Sequence, residues 1–307
     1  MPMGSDVVTI GTFDGVHRGH QSVLAAARRA TALHGGRCVA YTFDVPPRAV
    51  TGGGDAQLLL LPSTKRILLG AWVDRVIEAP FLEVRDRSPR AFARDVLLDQ
   101  LAARAVVVGE SFRFGVGRSG DVGLLASLAA EMGFDLVVVP PLILGTEAVS
   151  STRIRGLLQA GDVEEATALL GRPPLLRGDV VPGDGIGRTL GFPTANLRLD
   201  PRVLVPRHGV YFSRAYAGGI RSLALTYVGR RPTLADSSIR CEVHLLDAPS
   251  RELRGETIEV HLYQLLRPDR AFATLAALTD QMCLDLQAAR RAAPARPDAS
   301  DPDPLGG

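Results

Sequence analysis

Lysine is almost missing: Lys65 is the only one in 307 residues, while arginine is plentiful. We read that skew as genomic base composition rather than function. No Lys/Arg run occurs and the formal net charge is only +2, so there is no strong field for nucleic acid. Cysteine is scarce as well. Cys38, Cys241 and Cys283 lie far apart without metal-ligand spacing. That argues against a disulfide framework and points to a reducing cytoplasm. Long apolar runs are also lacking, since the stretch from Leu136 to Leu144 contains prolines and is too short for a membrane span. A strand is expected within a few residues of Met1, which leaves no room for a signal peptide. What is present, 46% apolar and 22% charged residues, suits two globular domains with their own cores.

The chain is organised around Val7-Val8-Thr9-Ile10-Gly11-Thr12-Phe13-Asp14-Gly15-Val16-His17-Arg18-Gly19-His20. Val7 to Ile10 read as a buried parallel strand, the glycines as a turn, and the residues from Gly19 to Leu33 as a helix. Gly11, Gly15 and Gly19 let backbone N–H groups approach a ligand, and the helix start favours a phosphate there. His17 and His20 stand three apart, so both imidazoles can face one point. This His-x-Gly-His arrangement is that of nucleotidylyltransferases. Imidazole donors there stabilise charge that builds on an attacked α-phosphate. A helix cap and a solvated turn residue would also use the same residue types.

After this helix the pattern alternates. Strands are expected at 37–43, 74–78, 105–109 and 136–139, with helices near 63–72, 88–103 and 124–132, giving a parallel sheet covered by helices. Ligands then bind beyond the carboxyl ends of the strands. The loop 109–121, with Ser111, Phe112, Arg113 and Phe114, is glycine-rich, basic and aromatic. It suits a substrate with a phosphate and a flat ring, or equally a surface loop. Ser150 to Arg155 opens a further helix, where Ser151 and Thr152 can cap it and touch phosphate and Arg155 can clamp an oxygen pair.

Near Gly171 the pattern changes. Short strands at 175–181, 197–199, 210–215, 222–228, 239–246 and 257–263 predict a small antiparallel barrel, with a helix over 271–291 and a disordered tail from Ala292. Gly183, Gly185 and Gly187 make a flap of the kind that covers phosphates. Thr194 and Asn196 stand two apart, so an extended chain turns both oxygen ligands to one side, fit for a nucleotide-bound Mg²⁺. Glu242, within an alternating strand, is a candidate general base for an alcohol or simply an exposed strand residue.

In order along almost the whole chain stand Gly11-x-Phe13-Asp14-Gly15-Val16-His17-x-Gly19-His20, Val108-Gly109-x-x-Phe112-Arg113-Phe114-Gly115, Ser150-Ser151-Thr152-x-Ile154-Arg155, and Leu169-Leu170-Gly171-Arg172-Pro173. They are followed by Gly183-Asp184-Gly185-x-Gly187-Arg188-x-Leu190-Gly191-Phe192-Pro193-Thr194-Ala195-Asn196, Gly229-x-Arg231-Pro232-Thr233 and Glu242-Val243-His244-Leu245-Leu246-Asp247. Together these resemble the prokaryotic bifunctional riboflavin kinase/FAD synthetase family. The resemblance implies a Rossmann-like adenylyltransferase domain over 1–171, a riboflavin kinase barrel over 172–291 and a tail over 292–307. It implies that ATP with Mg²⁺ phosphorylates riboflavin to FMN in the barrel, with Thr194 and Asn196 on metal and phosphates and Glu242 taking the proton. FMN then attacks the α-phosphate of a second ATP to give FAD. His17 and His20 would stabilise that step. Gly11, Phe13, Asp14, Gly19, Ser151, Thr152 and Arg155 would hold the nucleotide, and Ser111, Phe112, Arg113 and Phe114 the flavin.

The chain departs from the family at several points. Val45-Pro46-Pro47 lacks the usual histidine, Ser111 replaces an acidic residue or its amide, and Tyr227 replaces an Asn. Ala248 replaces a Phe and Arg254 a Tyr. An ordinary flavin-cofactor enzyme and a paralogue on a modified flavin, with one module weakened, both fit these changes. A non-catalytic flavin-binding regulator is a third reading. The oligomeric state is not legible.

Overall fold

The computed structural model describes residues 5–44, 57–230, 239–246 and 253–293. The departures at Val45-Pro46-Pro47 and Ala248, the Arg231-Pro232-Thr233 motif, Asp247 and the tail beyond residue 293 lie outside the described residues. The chain divides into two compact units, Met1–Ser151 and Thr152–Gly307.

In the first unit, five strands, β1 (Asp6–Ile10), β2 (Cys38–Phe43), β3 (Arg75–Ala79), β4 (Ala103–Gly109) and β5 (Asp135–Val139), form a sheet in the order β3-β2-β1-β4-β5. Every pairing in it is parallel. β1 is buried at all five positions, as a central strand covered on both faces must be. The order reverses beside β1, because its sequence neighbour β2 lies on one flank and β4 on the other. The crevice at the carboxyl ends of such strands is where α/β folds bind ligands. Helix Arg18–His34 turns Val23, Leu24, Ala26, Ala27 and Ala30 inward and ends at Gly35, whose φ of 77° lies in the left-handed region. A two-stranded ribbon, β6 (Ile143–Leu144) and β7 (Glu147–Ala148), is an addition that its two-residue strands made invisible to periodicity.

Helix Ser151–Ala160 starts at the boundary, with Ser151 in the first unit, and helix Val163–Leu170 follows in the second. Six antiparallel strands follow: β8 (Leu175–Val181), β9 (Ala195–Leu199), β10 (Gly209–Ala217), β11 (Ile220–Arg230), β12 (Ile239–Leu245) and β13 (Thr257–Pro268). They close into a barrel in the order β10-β11-β12-β9-β8-β13. Its filling is apolar and includes Leu176, Leu197, Tyr211, Cys241, Val243 and Ile258. Val163 belongs to that same core, so the helix before Gly171 packs with the barrel rather than only leading to it. Helix Leu275–Ala292 covers an outer patch made by Val210, Phe212, Leu225 and Tyr263. It includes Ala292, the residue at which a tail was expected.

Leu24 is fully buried in the helix that covers β1 and β4. Leu24→Ala should destabilise the first unit by about 2–5 kcal/mol, read from chemical denaturation.

Candidate active sites

The turn after β1 is tight enough to force two L-residues into left-handed backbone, Phe13 at φ 49° and Val16 at φ 42°. Strain of this kind persists only when the surroundings hold it. Here Asp14 does much of the holding. Its buried carboxylate accepts from the Leu59 amide at 3.0 Å and the Leu60 amide at 3.3 Å, while the Ser151 hydroxyl donates to its carbonyl at 2.8 Å. Phe13 is buried, its ring standing edge-on to His20.

His17 caps the following helix, its Nδ1 accepting from the His20 amide at 3.2 Å. That bond leaves Nε2 as the protonated donor of the neutral ring. The His17 and His20 rings stack at 3.6 Å between centroids, 15° from parallel. Gly19 leaves them room, since a Cβ there would stand 3.2 Å from the His17 ring, a tight contact. Nδ1 of His20 is sealed from solvent, with no hydrogen-bond partner among the described residues. Burial, then the charges of His17 and Lys65, hold the His20 pKa well below the usual imidazole value. His20 therefore stays neutral near pH 7.

Lys65, the chain's single lysine, was noted in the sequence only as a rarity. It is buried, and its Nζ donates to the Phe43 carbonyl at 2.6 Å and the Thr12 carbonyl at 3.4 Å. It thereby ties the residues beyond β1 to the end of β2. Glu78 lies 3.9 Å from the same ammonium, and burial lowers the Lys65 pKa against the pull of Glu78, Asp14 and Asp44.

The aromatic loop is ordered rather than loose. Phe114 exchanges backbone bonds with Gly120 and joins the core under the sheet, with Phe112 stacked on it at 5.6 Å. Ser111 and Arg113 remain exposed, so the loop offers polar groups on a fixed aromatic base. Thr152 and Arg155 lie three apart, on one face of helix Ser151–Ala160.

The barrel carries the second constellation. In β12, Cys241 and Val243 point into the core, which turns Arg240, Glu242 and His244 to the outside. Glu242 pairs directly with Asn196 of β9, so the two side chains are neighbours on one face. The Thr194 hydroxyl donates to Glu242 Oε2 at 3.4 Å. His244 Nδ1 lies 2.8 Å from the Pro193 carbonyl, which fastens the 191–196 stretch to β12. Arg240 donates to Glu242 Oε1 at 3.1 Å and also pairs with Asp184 of the glycine flap, linking the flap to the carboxylate. The flap sits close because it is glycine. A Cβ on Gly183 would stand 2.1 Å from the Asn196 amide, and one on Gly187 would stand 3.2 Å from the Thr194 hydroxyl. Thr194, Asn196 and Glu242 open on a cavity of about 280 Å³ whose other walls include Tyr227, Asp269 and Phe272.

The structure brings Thr194, Asn196 and Glu242, singled out in the sequence, onto one cavity with Arg240 and Asp269, which were not, and Asp184, which stood there only within the flap motif. The available signal for Arg240 was its i, i+2 spacing from Glu242, which places both on one face of a strand. Of the departures from the family, Ser111 and Arg254 are exposed, whereas Tyr227 lines the cavity. Thr194 and Asn196 offer oxygen ligands that suit a hard divalent cation held jointly with phosphates, beside the Glu242 carboxylate.

Paired imidazoles on a parallel sheet, and a carboxylate beside two oxygen ligands on a closed barrel, define a transferase with two phosphate-handling modules. The FAD synthetase family matches residues 3–153 and the riboflavin kinase family residues 170–293. The bifunctional riboflavin kinase/FMN adenylyltransferase of Escherichia coli K12 is 36% identical over 94% of this chain and 93% of its own length. That of Pseudomonas fluorescens is 38% identical over 92% of each chain. A crystal structure of a Streptococcus pneumoniae protein named for macrolide efflux superposes with a TM-score of 0.85 at 29% identity, over 94% of this chain and 95% of that one. No helix among the described residues is long and apolar enough to cross a membrane. The chain belongs to the bifunctional riboflavin kinase/FAD synthetase family.

Two outcomes follow from this geometry. An unfolded chain takes up a proton at His20 near pH 6.5, whereas the folded one does so only at lower pH. Stability of the first unit should thus fall on acidification below about pH 6.5, by at most about 1.4 kcal/mol per pH unit, and His20→Asn should remove that part of the slope in pH-dependent denaturation. Gly183→Ala should push the flap off Asn196, raising KM for ATP in FMN formation while leaving FMN-to-FAD conversion unchanged.

Proposed function

We propose that this bifunctional enzyme runs its two reactions on separate sites. The barrel phosphorylates riboflavin to FMN at the expense of ATP. The parallel-sheet unit adenylylates FMN to FAD and releases pyrophosphate. The observation that carries the assignment is Glu242, held in register beside Asn196 and within 3.4 Å of Thr194 under a glycine flap. A pure flavin binder has no use for a base in that position.

In the kinase step, the ribityl 5′-hydroxyl gives its proton to the Glu242 carboxylate and its oxygen forms a bond to the γ-phosphorus. The bridging oxygen leaves with ADP. Gly183, Gly185 and Gly187 hold the flap close to the phosphates, and Arg240 keeps Glu242 aimed. Thr194 and Asn196 hold the metal, proposed to be Mg²⁺, which when bound screens the charge of the polyphosphate. In the adenylyl step, a phosphate oxygen of FMN attacks the α-phosphorus of ATP. His17 and His20 stabilise the charge gained by the equatorial oxygens, with no covalent intermediate. Gly11, Phe13, Asp14 and Gly19 shape the turn that presents them. Ser151, Thr152 and Arg155 are assigned to the triphosphate, and Ser111, Phe112 and Arg113 to the flavin, with Phe114 as the buried base beneath them. In both reactions positioning and charge stabilisation provide most of the catalysis.

The functional modules are assigned to residues 1–171 and 172–291, with helix Val163–Leu170 packed on the barrel core. Cys38, Cys241 and Cys283 are free thiols, in keeping with a cytoplasmic setting.

Glu242→Gln should lower FMN formation by about 10²–10⁴-fold and spare FMN-to-FAD conversion. His20→Ala should do the opposite, by about 10²–10³-fold. Chromatographic assay of FMN and FAD from each variant separates the two. Loss of both activities in one well-folded variant would overturn the assignment to separate sites.

A further inference from the structure

Tyr227 is the one departure from the family that faces the barrel cavity among the described residues, and its surroundings are specific. On β11 it stands opposite Glu242 of β12 and Val210 of β10. Its ring runs along β11 over Gly229, where a Cβ would lie 2.0 Å from the phenol oxygen. Glycine at 229 thus gives the tyrosine its place. The phenol donates to Asp269 Oδ2 at 3.2 Å, and the Asp269 amide donates in turn to the His208 carbonyl at 3.1 Å. Burial first, then the neighbouring Asp269 and Glu242 charges, push the phenol pKa up to about 12, so the group remains a neutral donor. Asp269 leads into Arg270 and Phe272, where the guanidinium groups of Arg267 and Arg270 lie over the Phe272 ring at 5.5 and 4.8 Å.

Thr194 and Asn196 occupy the phosphate-handling side of Glu242, while Tyr227 and Asp269 continue the wall on a different strand and segment. Given the proposed reading of this cavity, on which the inference rests, we propose that the Tyr227–Asp269 pair is a specificity-determining contact for the hydroxyl-bearing chain of the kinase's acceptor. With its proton committed to Asp269, the phenol offers lone pairs. The second Asp269 oxygen does the same. The pair therefore accepts hydrogen bonds from interior hydroxyls of a neutral polyol chain, and its terminal hydroxyl is left to Glu242. The phenol takes no proton from the reacting oxygen. It is a binding contact, not a base.

The test measures initial rates of Tyr227→Phe and Asp269→Asn with two acceptors: riboflavin, and a flavin whose side chain is a 5-hydroxypentyl group without interior hydroxyls. Tyr227→Phe should raise KM for riboflavin about 3- to 10-fold, the scale of one lost hydrogen bond, with kcat within about twofold and KM for ATP unchanged. For the hydroxypentyl flavin, variant and parent should share one KM. The double variant should be no worse than the poorer single one, because the two residues act as one unit. Equal losses on both acceptors would mean that the pair only staples the wall, and an unchanged riboflavin KM would also overturn the proposal. The kcat with the hydroxypentyl flavin in the same samples reports on folding of the barrel, and Asp269→Asn tests the contact without altering the ring. If Glu242→Gln retains full FMN formation, the underlying reading of the cavity fails. If that variant is inactive while Tyr227→Phe keeps its KM, only the present proposal fails.

Discussion

Backbone register brings the polar groups of the barrel cavity together. Asn196 and Glu242 are far apart in the chain and meet only because β9 and β12 pair so that these residues stand opposite each other. A slip of one residue would turn Glu242 into the core and Cys241 toward the cavity. The apolar filling of the barrel forbids that slip, since Cys241 and Val243 are buried with Leu197 inside it. Packing on the inner face therefore sets the chemistry on the outer one. Barrel closure leaves no edge at which that register could be relaxed.

Burial plays the corresponding part in the first unit. The turn after β1 carries two left-handed L-residues, and it is held by an inward carboxylate at Asp14 and an inward ammonium at Lys65. Desolvation keeps His20 neutral beside its stacked partner. Burial, with the Asp269 and Glu242 charges beside it, raises the Tyr227 phenol pKa in the barrel. For both groups burial is the largest cause of the shift, ahead of the neighbouring charges.

Much of the fold was legible because its signals are local. Buried β-branched strands alternating with amphipathic helices read as a parallel sheet, and the dense short strands after Gly171 read as a barrel. Boundaries drifted where tertiary contacts extend an element, as in β13, which runs five residues past Tyr263 to Pro268. The ribbon at 143–148 left no periodic trace. Phe114 illustrates a different gap. Composition made it a flavin candidate, yet its ring is part of the core that supports the exposed Ser111 and Arg113.

Short-range pattern was enough for the sheet-then-barrel plan, the paired histidines at a helix start, and the Thr-x-Asn and Glu pieces that line the barrel cavity. All of these rest on spacings of a few residues, within which helix and strand geometry is set by covalent structure. Only the tertiary structure decided that Arg240 bridges Glu242 to the flap, that Lys65 joins two strand ends, and that Tyr227 meets Asp269 across the cavity. Those contacts join residues distant in the chain. Their partners are chosen by register and burial, which come into being only when the whole core has formed.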